Sequence, residues 1–164
     1  MKSANPFPFS DDNKRYHTWN YYLRHRFGKK IAKVPLDGGF TCPNRDGTRG
    51  YGGCTFCTSS GSGEFAGDRA EPLLDQYIKG QAVMRHKWPD ADFIPYFQAY
   101  TNTYGPLSKI QACVKPFLDR QEVAAIAIAT RADCLEPEKI CLLEQLNHRK
   151  PVWIELGLQT IHEP

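Results

Sequence analysis

The sequence is organised around residues 42–57, CPNRDGTRGYGGCTFC, where three of the six cysteines have the spacing C-x11-C-x2-C. Thiolates are soft ligands that suit zinc or an iron–sulfur cluster. Cys54 and Cys57 can reach one metal centre from a single tight turn, while Cys42 returns from the far side of the loop. Four glycines lie between Cys42 and Cys54, and glycine lets the backbone take positive φ around a bulky group. This stretch therefore predicts a metal or cluster loop.

Two kinds of metal centre fit these cysteines. A closed zinc site needs four ligands, normally supplied as two close pairs, but no Cys or His follows Cys42 within four residues. A fourth ligand would have to come from far away, such as His17, His25 or Cys134. Iron–sulfur cubanes are commonly held by four cysteines, so three would leave one iron open for chemistry. The spacing favours the open cluster; a zinc-stabilised module and a remnant that folds without metal stay open as alternatives.

Length and composition restrict the class of protein. The 164 residues suffice for one domain with its own core. No apolar run approaches the roughly 18 to 20 residues of a membrane span, and the first residues lack the apolar core of a signal peptide. We therefore predict a cytoplasmic protein with no membrane partner. Its cysteines should be reduced, which disfavours a disulfide framework.

A basic, aromatic segment precedes the cysteine loop. The net charge of +3 does not by itself predict nucleic-acid binding, but residues 13–36 contain seven Lys and Arg, several aromatic residues and no Asp or Glu. Phosphates and unstacked RNA bases are bound by such groups. The segment is predicted to be a helix capped by Asp11 or Asp12, ending near Phe27 with Gly28 as its left-handed stop. A helical stripe could equally be a packing face, with the basic groups merely solvated; that stripe comprises Tyr16, Trp19, Leu23 and Phe27.

After this helix, four apolar strands alternate with helices, which predicts an α/β protein with a parallel sheet. Ligand sites in such sheets collect at the carboxyl ends of the strands. The cysteine loop follows the first strand, residues 101–103 the second, residues 130–133 the third and Gln159 the fourth. We therefore expect these groups to border one shared site.

The longer motifs resemble a known family. Phe56 precedes the last cysteine of the loop, as an aromatic residue does in the cluster motif of the radical S-adenosylmethionine (radical SAM) superfamily. Four stretches together resemble its YhcC/YtqA branch, which is related to the radical SAM domain of the Elongator catalytic subunit. They are LDGGFTCPNRDGTRGYGGCTFC (36–57), YFQAYTNTYGP (96–106), ATRADCL (129–135) and WIELGLQT (153–160). The resemblance extends from about residue 15 to the end of the chain.

The resemblance implies a partial (β/α)6 barrel. Residues 1–28 would form an N-terminal arm and the basic aromatic helix, and residues 29–164 the N-terminal part of the barrel. The family continues through two more β/α units, whereas this chain stops after about four. It is therefore expected to be the N-terminal half of such an enzyme, which would hold the cluster loop without turning over alone.

The resemblance also implies the chemistry. Cys42, Cys54 and Cys57 would bind three irons of a [4Fe-4S] cluster, and S-adenosylmethionine would chelate the fourth. One electron, from a donor such as flavodoxin or ferredoxin, would then generate methionine and a 5′-deoxyadenosyl radical. The implied substrate is RNA, namely the 5-substituent of the wobble uridine of tRNA, for example a carboxymethylaminomethyl group.

Several further residues would bind S-adenosylmethionine in this reading. Phe56 would lie against the adenine, the 98–103 segment would receive the methionine amino group, Arg131 would pair with a carboxylate or phosphate, and Gln159 would reach the ribose. In that segment the residues concerned are Gln98, Tyr100, Thr101 and Thr103. Ala132 departs from the family, which usually has Pro there.

Two further expectations come from position in the chain. Strand alternation directs Glu155 into the barrel. Cys113 and Cys141 fall on predicted helices and are expected to be buried, whereas Cys134, at the end of a strand, could either pack in the core or face the site.

Overall fold

The computed structural model describes residue 7, residue 11 and residues 13–157. Helices and strands alternate along it as the apolar runs predict, so the α/β class is confirmed. In chain order the elements are α1 (Trp19–Phe27), β1 (Ile31–Leu36), α2 (Leu73–Lys87), β2 (Asp92–Phe97), α3 (Leu107–Val114), β3 (Ile126–Thr130), α4 (Pro137–Arg149) and β4 (Val152–Leu156).

The four strands form one parallel sheet in the order β1-β2-β3-β4. Each consecutive pair of strands is joined through a helix, the crossover that parallel pairing requires. Because the strands run in one direction, their carboxyl ends meet at a single edge of the sheet. The cysteine loop, which follows β1, and the polar segments after β2 and β3 therefore come together there.

Side chains alternate between the two faces of the sheet. Val34, Phe97 and Ile128 belong to the larger core, which α2, α3 and α4 cover. Ile31, Ile94 and Ala127 point to the other face, where they form a smaller core with Leu23 of α1. Ile31 begins β1, so α1 packs near the amino ends of the strands.

The start of α1 corrects the sequence prediction. The helix begins at Trp19 rather than after Asp11 or Asp12, because the Thr18 hydroxyl accepts a hydrogen bond from the Tyr21 N–H at 3.1 Å and caps it. Its end was predicted correctly: Gly28 has φ 72° and its N–H bonds the carbonyl of Arg24.

The packing stripe of this segment is confirmed only within the helix. Leu23 is 4% exposed and Phe27 packs beside it, whereas Tyr16, ahead of the helix, is 68% exposed. Trp19 is 47% exposed and packs edge-on against Trp153 of β4. Among the described residues, no helix is long and apolar enough to cross a membrane.

Candidate functional site

A cavity of about 700 Å³ lies at the carboxyl ends of the strands. All three cysteines of the loop border it, together with residues from the ends of β2, β3 and β4. The cysteine loop and the ends of β2, β3 and β4 thus border one cavity, as predicted for part of the residues concerned. Its lining includes Cys42, Cys54, Phe56, Cys57, Gln98, Tyr100, Thr101, Arg131 and Glu155.

The cysteine loop has a definite internal structure. Asp46 and Tyr51 form an isolated antiparallel bridge, and the Cys57 N–H bonds the Cys54 carbonyl at 3.0 Å to close the C-x2-C turn. Gly53 has φ 89°, and a Cβ there would lie 2.8 Å from Nε of Arg45. Glycine is needed at this point both for the backbone angle and for the close approach of the guanidinium.

Polar contacts hold the start of the loop in place, and two of them come from helices α2 and α3. Arg69 forms an ion pair with Asp37 and donates to the Phe40 carbonyl at 2.7 Å. Lys109 of α3 donates to the Gly39 carbonyl at 2.7 Å. The buried Gln76 of α2 accepts from the Asp37 N–H at 2.9 Å. The chain thus enters the cysteine loop from a fixed position.

Each of the three thiols accepts a contact from a side-chain N–H. Nδ2 of Asn44 lies 3.1 Å from Sγ of Cys54, and Nη2 of Arg45 lies 3.5 Å from Sγ of Cys57. Nη1 of Arg131 lies 4.0 Å from Sγ of Cys42, which is the longest of the three contacts. Neither Asn44 nor Arg45 was predicted as a site residue; their position two and three residues after Cys42 was the available signal.

The segment after β2 reaches the cavity only in part. Gln98, Tyr100 and Thr101 line it. Tyr100 has φ 61°, donates its hydroxyl to the Ser59 carbonyl at 2.8 Å, and lies so close to Gly61 that a Cβ there would be 2.5 Å from the ring. Thr103 is fully buried and does not line the cavity, because its hydroxyl bonds Thr130 Oγ1 and the Cys134 carbonyl, both at 2.6 Å.

Asn102 was expected to border the site with its neighbours, but it does not line the cavity and has a structural role instead. It is 2% exposed, and its Nδ2 lies 3.1 Å from each of three carbonyl oxygens, those of Phe97, Ala99 and Ala129. The amide therefore links the carboxyl ends of β2 and β3. It fixes the backbone that presents Thr101 to the cavity.

The guanidinium of Arg131 is already engaged. It forms a two-point hydrogen bond with Asp133, with both distances 2.8 Å. This contact holds the pKa of the Asp133 carboxyl below its ordinary value and that of Arg131 above it. Arg49 of the cysteine loop pairs with the same carboxylate at 3.1 Å. A ligand carboxylate or phosphate would have to compete with Asp133 for Arg131.

Two charged side chains, Lys33 and Glu155, lie on the face of the sheet that carries the smaller core, nearer the middle of the strands. Lys33 of β1 pairs with Glu155 of β4 across the small side chains of β3, and the Lys33 ammonium lies 4.1 Å from the centre of the Tyr96 ring. Burial and the nearby Glu155 carboxylate raise the pKa of Tyr96 to about 12. Glu155 borders the cavity as strand alternation predicts.

The other cysteines do not join the three. Cys134 is 3% exposed and outside the cavity lining, and burial together with Asp133 raises the pKa of its thiol to about 11. Cys113 is buried as predicted, but the prediction for Cys141 was wrong, since it is exposed.

The part of the chain described contains no group of three or more Cys, His, Asp or Glu side chains arranged to hold a single metal ion. The three thiols of the loop, which lie in that part, do not form such a group. Gln159 lies outside the described residues.

The sequence is similar to several curated proteins. It is 51% identical over 163 residues to the uncharacterized protein YtqA of Bacillus subtilis, an alignment that covers 99% of this chain and 51% of that protein. It is 37% identical over 145 residues to the protein YhcC of Escherichia coli K12, covering 86% of this chain and 45% of that protein. It is 36% identical over 149 residues to an uncharacterized protein of Methanocaldococcus jannaschii, an alignment that covers 88% of this chain and 44% of that protein.

The chain thus spans about half the length of the curated relatives it matches. No protein-family model matches the sequence, and no solved structure is significantly similar to it. The names of the relatives state no activity. What the comparisons establish is that this chain aligns with about half of a longer type of protein found in bacteria and an archaeon.

Proposed function

We propose that this chain is the N-terminal part of a radical SAM enzyme that modifies the wobble uridine of tRNA, with a partial (β/α)6 barrel and a [4Fe-4S] cluster on Cys42, Cys54 and Cys57. The observation that carries the proposal is that all three thiols border one cavity at the carboxyl edge of a parallel sheet. Ligand sites in parallel α/β folds lie at this edge. The resemblance of the motifs to the superfamily supplies the identity of the chemistry.

We favour a cluster over a single zinc ion at these thiols. Four zinc ligands must converge on one ion at about 2.0–2.3 Å, and no such group is found in the residues described. In a cubane each cysteine binds a different iron, so the sulfur atoms need not meet at one point. The N–H donors beside each sulfur are also the contacts expected around cluster thiolates.

The cluster and S-adenosylmethionine would together supply the radical chemistry, and the chain would orient them and exclude water. Phe56 borders the cavity with 68% of its surface exposed, so its ring is accessible to a planar base. Gln98 and Thr101, which follow β2, also border the cavity. Glu155 and Lys33 provide charged groups further toward the middle of the strands.

Metal content and EPR test this proposal. After anaerobic reconstitution with iron and sulfide, we expect about four irons per chain, as a cubane requires. Low-temperature EPR of the dithionite-reduced protein should give a [4Fe-4S]+ signal that changes when S-adenosylmethionine is added. One tightly held zinc per chain, with no cluster signal, would instead favour the zinc-stabilised RNA-binding module and end the proposal of radical chemistry.

RNA contact is the second part of the proposal. Arg24, Arg26 and Lys29 are exposed in or directly after α1. Trp19, the first residue of α1, lines a second pocket together with Glu155, and Glu155 also borders the cavity. The start of α1 therefore lies close to the cavity, and one RNA would reach both.

Salt dependence tests the RNA part. We expect tRNA binding by this chain to weaken with salt. Arg24→Gln/Arg26→Gln should reduce the magnitude of the slope of log K against log[salt] by about two, because each substitution removes one cation that neutralises a phosphate. Fluorescence anisotropy with labelled tRNA between 50 and 200 mM salt measures this. Lys79→Gln on α2 is the control, since Lys79 pairs with Glu71 behind the sheet. If tRNA binding does not depend on the salt concentration, the RNA part of the proposal is wrong, and the cluster proposal is unaffected.

A further inference from the structure

The three thiols differ in the kind of donor that contacts them. Cys54 receives a neutral amide N–H from Asn44 at 3.1 Å, whereas Cys57 receives a guanidinium N–H from Arg45 at 3.5 Å. Cys42 receives the distant guanidinium of Arg131, whose charge is balanced by Asp133. Arg45 is therefore the cation with the most direct effect on a loop thiolate.

Arg45 is held in place by contacts on several sides. Its guanidinium donates to the carbonyl oxygens of Thr58 and of Ser59, the latter at 3.2 Å, and lies 5.3 Å from the centre of the Tyr100 ring. Gly53 leaves room for the group on another side. Within the described residues no carboxylate forms an ion pair with Arg45, so its positive charge is not neutralised by a protein group.

We propose that Arg45, assisted by Asn44, is a positioning residue that raises the reduction potential of the cluster held by the three thiolates. This inference rests on the proposed function. When a cluster takes up one electron, negative charge on its sulfur ligands increases, and N–H donors stabilise that charge. A guanidinium adds a full positive charge to the hydrogen bond, so Arg45 contributes more than Asn44.

The structure also explains why Arg131 contributes less. Its Nε and Nη2 donate to Asp133, and its Nη1 lies 4.0 Å from the Cys42 sulfur, which is a weak contact. Arg49 pairs with the same carboxylate and forms no hydrogen bond to a thiol within the described part of the loop. Arg49 therefore provides a matched control for the removal of an arginine from the same loop.

The test is an EPR-monitored redox titration of the reconstituted chain, with iron and sulfide measured on each sample. We expect Arg45→Gln to retain its iron and to lower the equilibrium constant for one-electron reduction at least tenfold, a shift of about 59 mV to more negative potential. Asn44→Ala should shift the potential in the same direction by less. Arg49→Gln should match the wild type.

Arg45→Lys separates charge from loop structure. Lysine keeps the positive charge but loses the planar fork that reaches Thr58 and Ser59, so it should recover at least half of the shift. If Arg45→Gln loses its cluster, Asn44→Ala still carries the test, and a wild-type potential in that variant would overturn the inference. A full cluster at the wild-type potential in Arg45→Gln would overturn it directly. A wild-type chain without any cluster is a different result, since it overturns the proposed function itself.

Discussion

Replacing Cys54 with alanine is expected to abolish the cluster. Cys54 begins the C-x2-C turn and accepts the N–H of Asn44, so Cys54→Ala removes one of three iron ligands and leaves the other two on separate arms of the loop. Two thiolates hold a cubane poorly when four ligands are the norm. After identical reconstitution, the variant should contain less than about a tenth of the wild-type iron and show no [4Fe-4S]+ EPR signal.

Cys141→Ala is the matched control for this experiment. Cys141 is an exposed cysteine on α4, so the same substitution there should leave iron content and EPR signal unchanged. The circular dichroism spectra of the metal-free wild type, Cys54→Ala and Cys141→Ala should agree, because neither cysteine belongs to a hydrophobic core. If Cys54→Ala keeps a full cluster and its signal, the three loop cysteines are not the ligands that we propose.

The sheet could be predicted from sequence because burial determines its strands. Residues 123–129, VAAIAIA, are apolar throughout since both faces of β3 are covered, and the run is bounded by Glu122 and Thr130. Joint placement of the cysteines with Thr101 and Arg131 also followed from sequence, because the carboxyl ends of parallel strands must share one edge. These predictions need only the order of the elements.

Features that depend on side-chain geometry were not predictable in the same way. Whether Asn44 and Arg45 reach the thiols depends on the path of a loop that turns through Gly53 at positive φ, and no local periodicity encodes that path. Thr103 was assigned to the cofactor because it lies in the right segment, but the chain turns and buries its hydroxyl against Thr130.

The error at Cys141 had a signal in the sequence. The buried residues of α4 are Lys139, Leu143 and Leu146, at the spacing i, i+4, i+7 of one helical face. Cys141 lies two residues from both Lys139 and Leu143 and therefore faces outward. Helical phase should have outweighed the general tendency of cysteine to be buried.

Replacing Asn102 with aspartate is expected to be the most destabilising single change near the site. The substitution exchanges Nδ2, which is within 3.1 Å of three carbonyl oxygens, for an oxygen that cannot donate when ionised. An unpaired charge buried beside acceptors costs about 3–5 kcal/mol. We expect Asn102→Asp to lose this much free energy of unfolding at pH 7, measured by urea denaturation.

The loss should depend on pH in a definite direction. Burial raises the pKa of the introduced carboxyl above its unfolded value of about 3.9. The unfolded chain therefore releases its proton first as pH rises, so Asn102→Asp should be destabilised more at pH 7 than at pH 4 relative to wild type. The opposite trend would mean that the carboxylate is accommodated in ionised form.

Asn147→Asp supplies the control, and the comparison bears on function. The Asn147 Oδ1 only accepts a hydrogen bond, from the Val152 N–H at an exposed position, and aspartate preserves that acceptor. Its unfolding free energy should stay within about 0.5 kcal/mol of wild type. Equal stability of the two variants would mean that the Asn102 amide does not hold β2 to β3. If Asn102→Asp is destabilised as expected, the position of Thr101 depends on a buried amide that does not line the cavity. A loss of cofactor binding in an Asn102 variant would then have to be distinguished from a loss of stability.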